Sequence, residues 1–206
     1  MPVLEIENEY VIPITYDCNW NCPYCAVKND FDQKFKTDFT PVERRLSLVP
    51  ETSSVTIAGG EPGLVSRESL EEYLKILEMK KCQIYLETNG TFLDRYPDLI
   101  CRFKEISYHC SVNMDIPMRV TRGYGNIRYL LIVNDDNIGN LRKFLEFNPD
   151  VKFDVIECTY PHGITGPTLS GKNKNMILAN FGRRLTSDSI RRLIHGKNFE
   201  RAIWLS

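Results

Sequence analysis

The sequence predicts an α/β fold built on parallel strands. Three observations lead there. Short runs rich in Val, Ile, Tyr and Phe recur through the first 160 residues, as strands do. Segments with apolar residues at helical spacing separate them. Strand–helix alternation is the mark of parallel strands joined by crossovers. Six such units make an open sheet or a partial (β/α)6 barrel, and in both, ligands gather at the carboxyl ends of the strands.

In chain order, strands are expected at Tyr10–Thr15, Ser54–Ala58, Gln83–Glu87, Ile106–Val112, Ile127–Val133 and Lys152–Glu157. The best helix is Ser66–Lys80. Ser66 can cap it, although Ser69 stands where a capping box has Glu. Leu70, Tyr73, Leu74 and Leu77 then fall on one face. Thr91–Phe103 and Asn137–Phe147 carry fainter versions of the pattern. After Tyr160 it changes. Segment Pro161–Asn175 is rich in Gly, Pro, Asn and Lys and reads as a long loop. A helix at Ser187–Gly196 and a short strand at Ala202–Leu205 follow. Residues 1–160 thus form the core, and residues 161–206 an irregular extension that completes or covers the same domain.

The bulk properties are those of an ordinary globular domain. The 206 residues are 42% hydrophobic and 26% charged, with net charge −1. Such a balance gives no overall basic footprint for nucleic acid. No run of eighteen apolar residues suggests a membrane span. The N-terminal Met1–Tyr10 has neither a basic nor an apolar signal region, so a cytoplasmic location is expected. Locally, Gly171–Arg201 holds eight Lys/Arg against two Asp/Glu.

There are seven cysteines, at 18, 22, 25, 82, 101, 110 and 158. An odd count in an intracellular chain argues against a disulfide framework. The last four sit in apolar or strand-like stretches and read as small buried hydrophobes. Cys18, Cys22 and Cys25 crowd into the loop after the first strand, spaced C-x3-C-x2-C, where Asp17, Asn19, Asn21 and Pro23 favour a turn. Three thiolates so close can hold one metal centre. Structural zinc normally takes four protein ligands, so a zinc knuckle here needs His109, His162 or a distant cysteine as the fourth. A four-iron cluster held by three cysteines instead leaves one iron open for a substrate or cofactor.

With Tyr24 immediately before the third cysteine, this loop resembles the C-x3-C-x-aromatic-C signature of the radical S-adenosylmethionine (SAM) superfamily. The next strand ends in Ala58-Gly59-Gly60-Glu61-Pro62, similar to the family's Gly-Gly-Glu-Pro motif. The third ends in Glu87-Thr88-Asn89-Gly90-Thr91, similar to segments of the glycyl-radical activating enzymes and the 7-carboxy-7-deazaguanine synthase group. All three motifs occur in order, each after a predicted strand. The resemblance covers roughly residues 10–160.

What the resemblance implies is specific. The fold is a partial (β/α)6 barrel. Cys18, Cys22 and Cys25 hold a [4Fe–4S] cluster whose fourth iron is chelated by the amine and carboxylate of SAM. Flavodoxin or ferredoxin supplies one electron, at potentials that reach about −700 mV for such centres. Reductive cleavage yields methionine and a 5′-deoxyadenosyl radical, which takes a hydrogen atom from the substrate. Gly59, Gly60, Glu61 and Pro62 meet the methionine amine. Tyr24 presents its backbone to adenine. Glu87, Asn89, Ser111 and Asn113 are candidates for ribose or carboxylate contacts. Arg128 and Asn134 bracket the fifth strand, and His109 alternates toward the barrel interior.

The substrate is less legible. With no second cysteine cluster and a near-minimal length, peptide-modifying subfamilies are disfavoured. A small molecule or nucleotide suits a chain of this size, and Lys172, Lys174, Arg183, Arg184, Arg191 and Arg192 are available to a phosphate. The deazaguanine synthase pattern is broken, because Ala26-Val27-Lys28 follows the third cysteine where that group has Asp-Thr. A glycyl-radical activase acting on a protein partner is the alternative, and a non-catalytic zinc or iron–sulfur module is a third.

Overall fold

The computed structural model describes residues 4–6, 9–22, 25, 27, 41–111, 125–149, 152–157 and 169–185. Its centre is a seven-stranded sheet whose spatial order equals the chain order. The strands are β1 (Leu4–Ile6), β2 (Glu9–Thr15), β3 (Ser54–Gly59), β4 (Gln83–Thr88), β5 (Glu105–Ser111), β6 (Ile127–Val133) and β7 (Asp154–Glu157). β2 through β7 are parallel, and β1 runs antiparallel along the outer edge of β2. The six predicted strands are therefore these six, unclosed, as a partial barrel requires. β1 was not anticipated.

Side chains alternate across the sheet, as the pleat dictates. Ile12, Val55, Ile57, Ile84, Leu86, Ile106, Tyr108, Leu131, Val133 and Val155 belong to the core under the helices. That core takes the predicted face of α2 (Arg67–Met79), namely Leu70, Tyr73, Leu74 and Leu77. Ser66 caps α2 by accepting the Ser69 N–H at 3.2 Å. The opposite face of the sheet is mixed, with Leu130 in register between His109 and Asp154 and polar side chains around it. Thr56 donates to Glu9 at 3.0 Å, His109 Nε2 lies 3.8 Å from Glu87, and Arg128 pairs with buried Asp154 and, at 3.9 Å, Glu105. Arg128 and His109 thus sit on the inward wall with acidic neighbours.

A short helix, α1 (Val42–Ser47), was missed by the sequence reading. Its buried Arg45 donates to the Pro13 carbonyl at 2.8 Å, beside the register shift between Pro13 and Thr15. Proline has no N–H for the ladder, and the guanidinium answers the carbonyl at the irregularity.

Two expectations need correction. The helix Thr91–Phe103 is two pieces, α3 (Thr91–Arg95) and a 3-10 turn Pro97–Arg102. Pro97 breaks the run because it lacks a donor and forces Tyr96 out of helical geometry. Nor does the loop Pro161–Asn175 extend to its predicted end: α5 spans Gly171–Phe181, preceded by α4 (Ile138–Phe147). Gly and Asn at its start are poor helix formers, but Ile177 is fully buried, and Asp135 accepts from Ser170 N at 2.9 Å and Asn173 Nδ2 at 2.8 Å. Tertiary docking overrides propensity here. After α5, Leu185 bridges in parallel to Phe153 and returns the chain to the sheet edge. The expected helix Ser187–Gly196 and strand Ala202–Leu205 lie outside the described residues.

Candidate active site

The carboxyl ends of β2, β3 and β4 meet at one corner of the sheet, and the three motifs sit on them. β2 runs into the cysteine loop. Its ladder with β3 continues past the strand ends, with Gly60 N donating to Thr15 O and Glu61 N to Asp17 O, both at 2.7 Å. This is where the two glycines are required. A Cβ on Gly60 would lie 2.1 Å from Asp17 O, and one on Gly59, whose φ is +115°, 2.3 Å from Thr15 O. The glycines therefore let the β3 turn lie flat against the backbone leading into Cys18.

Glu61 joins this unit to the third strand end. Its side chain is wholly buried. Oε1 accepts from Gly63 N at 2.8 Å, Thr88 Oγ1 at 2.7 Å and Phe92 N at 3.1 Å. Oε2 accepts from Asn89 N at 2.7 Å. Burial pushes this carboxyl above the usual glutamate range, and the four donors pull it part of the way back. Pro62 opens the short 3-10 turn that follows.

Asn89 closes the circle. Its Oδ1 accepts from Thr91 N at 3.1 Å and Thr91 Oγ1 at 2.8 Å. Its Nδ2 donates to Asn19 Oδ1 at 2.9 Å and to Cys18 Sγ at 3.7 Å. Asn19 in turn donates to Thr91 Oγ1 at 3.0 Å. Cys18 Sγ also accepts the Trp20 N–H at 3.4 Å, and Cys25 N donates to Cys22 O at 3.1 Å.

Cys18, Cys22 and Cys25 are partly exposed and engaged in no disulfide. Among the described residues, no three Cys, His, Asp or Glu side chains are drawn together for a single ion. The donor set nonetheless suits a thiolate-bound cluster. Three thiols share one loop, and the first receives two N–H donors, as coordinating sulfurs do.

The structure therefore brings Cys18, Gly59, Gly60, Glu61, Pro62 and Asn89 into one network. Glu87 lies two positions before Asn89, on β4, and faces the inward wall beside His109. Tyr24 and Asn113 lie outside the described residues, and of Ser111 the structure gives the β5 backbone, paired with Ile132. Asn134 is buried and closes its own turn, accepting from Asp136 N at 3.1 Å and Asn137 N at 2.9 Å. Asn19, Thr88 and Thr91 were missed as site residues. Their one signal in the sequence was their place inside a motif.

A family model described as the radical SAM superfamily matches residues 12–117, just over half of the chain. A protein of Methanocaldococcus jannaschii, provisionally assigned as a glycyl-radical enzyme activating enzyme, is 34% identical over 83 residues, covering 39% of this chain and 31% of that protein. The 7,8-dihydro-6-hydroxymethylpterin dimethyltransferase of the same organism is 33% identical over 85 residues, covering 38% and 16%. This chain thus spans about a third or less of those two relatives. Among solved structures, anSMEcpe with bound AdoMet superimposes with a TM-score of 0.53 at 17% identity, covering 90% of this chain and 58% of that one. Its complex with AdoMet and a Kp18Cys peptide gives 0.54 at 18%, covering 92% and 66%. At such identities the likeness is one of fold.

Proposed function

The chain belongs to the radical SAM superfamily of enzymes, and from that premise we propose that it cleaves SAM reductively at a [4Fe–4S] cluster held by Cys18, Cys22 and Cys25. The observation that carries the reading is the single hydrogen-bonded unit tying the cysteine loop to the turns after β3 and β4. A cluster held by these cysteines would supply one-electron reduction of the sulfonium, the chemistry that would split a carbon–sulfur bond of SAM into methionine and a 5′-deoxyadenosyl radical. The chain's own residues bind and position. The backbone of Gly59–Pro62 receives the methionine amine. Glu61, with four internal donors on its carboxylate, holds that turn in place rather than reaching the amine itself. Tyr24, Glu87, Ser111 and Asn113 remain the side of the site proposed for the nucleoside and carboxylate. Flavodoxin or ferredoxin is the proposed electron donor.

The proposed substrate is a small molecule or nucleotide, bound against the inward wall of β4–β7. A protein substrate is the second reading, favoured by the likeness to the assigned activating enzyme. A glycyl-radical signal in a co-purifying partner would distinguish it.

Anaerobic reconstitution with iron and sulfide, followed by dithionite and SAM, tests the proposal. Formation of 5′-deoxyadenosine is the expected result. A protein that takes up one zinc and no iron or sulfide, or that binds a cluster yet leaves SAM intact, overturns it.

A further inference from the structure

We infer that Asn89 tunes the reduction potential of the cluster site, through its hydrogen bond to the Cys18 sulfur. The inference rests on the proposed reading of Cys18 as a cluster ligand and gives Asn89 a role other than contact with SAM.

The orientation of the Asn89 amide is decided by its surroundings. Two donors from Thr91, its N–H and its hydroxyl, converge on Oδ1. A flipped amide would set NH2 against the Thr91 N–H and aim its oxygen at a thiolate. Both amide hydrogens are therefore directed to the cysteine loop, one to Asn19 Oδ1 and one to Cys18 Sγ. The backbone beneath is equally fixed, because Asn89 N donates to buried Glu61 Oε2 at 2.7 Å. Asn89 is thus a donor held rigidly 3.7 Å from a sulfur 71 residues away in sequence.

A donor so placed stabilises the more negative state of whatever the sulfur binds. Reduction adds an electron to the cluster and its thiolates, so the bond strengthens on reduction and raises the potential. Asn89 is a positioning residue here. It touches a ligand and not the reacting atoms.

The experiment is a potentiometric titration of the reconstituted full chain, followed by electron paramagnetic resonance, without SAM. Asn89→Leu removes the donor at similar size. Asn89→Asp keeps the acceptor for Thr91 and exchanges the donor for negative charge. Thr56→Val removes a buried hydroxyl from β3 outside the network and is the control. At a fixed potential the reduced-to-oxidised ratio should fall about three- to tenfold in Asn89→Leu, where tenfold is about 59 mV for a one-electron couple. It should fall further in Asn89→Asp and hold within about twofold in Thr56→Val. Equal potentials in wild type and Asn89→Leu overturn the inference, as does a shift in Thr56→Val as large as that in Asn89→Leu. Asn89→Ala replaces Asn89→Leu if the latter takes up no cluster; if neither holds four irons while Thr56→Val does, Asn89 serves assembly and the inference is likewise overturned. A wild-type chain that takes up no cluster sinks the proposed function itself, a result told apart by iron and sulfide content.

Discussion

Replacing Glu61 with Ala should be among the most damaging single changes in this protein. The carboxylate is completely buried and accepts four hydrogen bonds, from Gly63 N, Thr88 Oγ1, Asn89 N and Phe92 N. Alanine leaves three backbone N–H groups and a hydroxyl facing a cavity. Each buried donor left unmade costs about 1–3 kcal/mol. Water entering the cavity restores part of that, so the net loss should be about 3–5 kcal/mol, a large share of a domain's usual stability of about 5–15 kcal/mol. Glu61→Gln keeps the three bonds to Oε1 and sets NH2 against the Asn89 N–H, and should cost about 1–2 kcal/mol. Urea unfolding followed by circular dichroism reads both. The pH dependence separates them further. The native carboxyl is held above its ordinary value of 4.5 because burial outweighs the donors. The folded state therefore binds the proton more readily than the unfolded chain does. That contribution is complete below pH 4.5 and is lost as the pH rises through the native value. Wild type should show this descending limb above pH 4.5, and Glu61→Gln should lack it. An alanine variant within about 1 kcal/mol of wild type would refute the reasoning, because the four bonds would then count for little.

Three other outcomes follow from the same geometry. Gly60→Ala forces a Cβ to within 2.1 Å of Asp17 O; it should cost about 1–3 kcal/mol and lower iron uptake, measured on the reconstituted protein. Cys18→Ser, Cys22→Ser and Cys25→Ser should each abolish iron–sulfur absorbance, whereas Cys82→Ser and Cys101→Ser should retain it. Ser170 and Asn173 hold the Asp135 carboxyl below the usual carboxylate range, so its tether on α5 should persist as the pH falls to 3.8 and fail only below that; Asp135→Ala should speed amide exchange at Asn173 and Lys174 at neutral pH and leave β2–β4 protected.

How far the sequence spoke depended on the range of each interaction. The parallel strands were legible because their signal is local: runs such as Ile127–Val133 carry strand propensity in Ile127, Tyr129, Ile132 and Val133. The helix face Leu70, Tyr73, Leu74 and Leu77 was legible for the same reason. Thr91–Phe103 was misread by following its apolar spacing across Pro97. The start of α5 carried one local signal, Ser170, which caps the helix by accepting the Asn173 N–H at 3.4 Å; its further support comes from Ile177 in the core and from Asp135, 35 residues away from Ser170. At the site, the cysteines stood out by type and spacing, and the glycines and Glu61 by resemblance to a family motif. What they do for one another did not. That Glu61 would hold Asn89, 28 residues on, and that Asn89 would turn back to Cys18, are facts of folding that no spacing encodes.

The sheet has one further consequence, for how this chain is born. Because spatial order repeats chain order, every strand leaving the ribosome finds its neighbour already made. No early strand waits for a late one to be inserted beside it, as happens in sheets with rearranged order. β1 makes the first edge a strand of only three residues, a short template for unwanted pairing, and the nascent sheet grows at its other side. Synthesis then runs in the order of assembly, and every residue of the corner where β2, β3 and β4 end is made before β5 begins at Glu105.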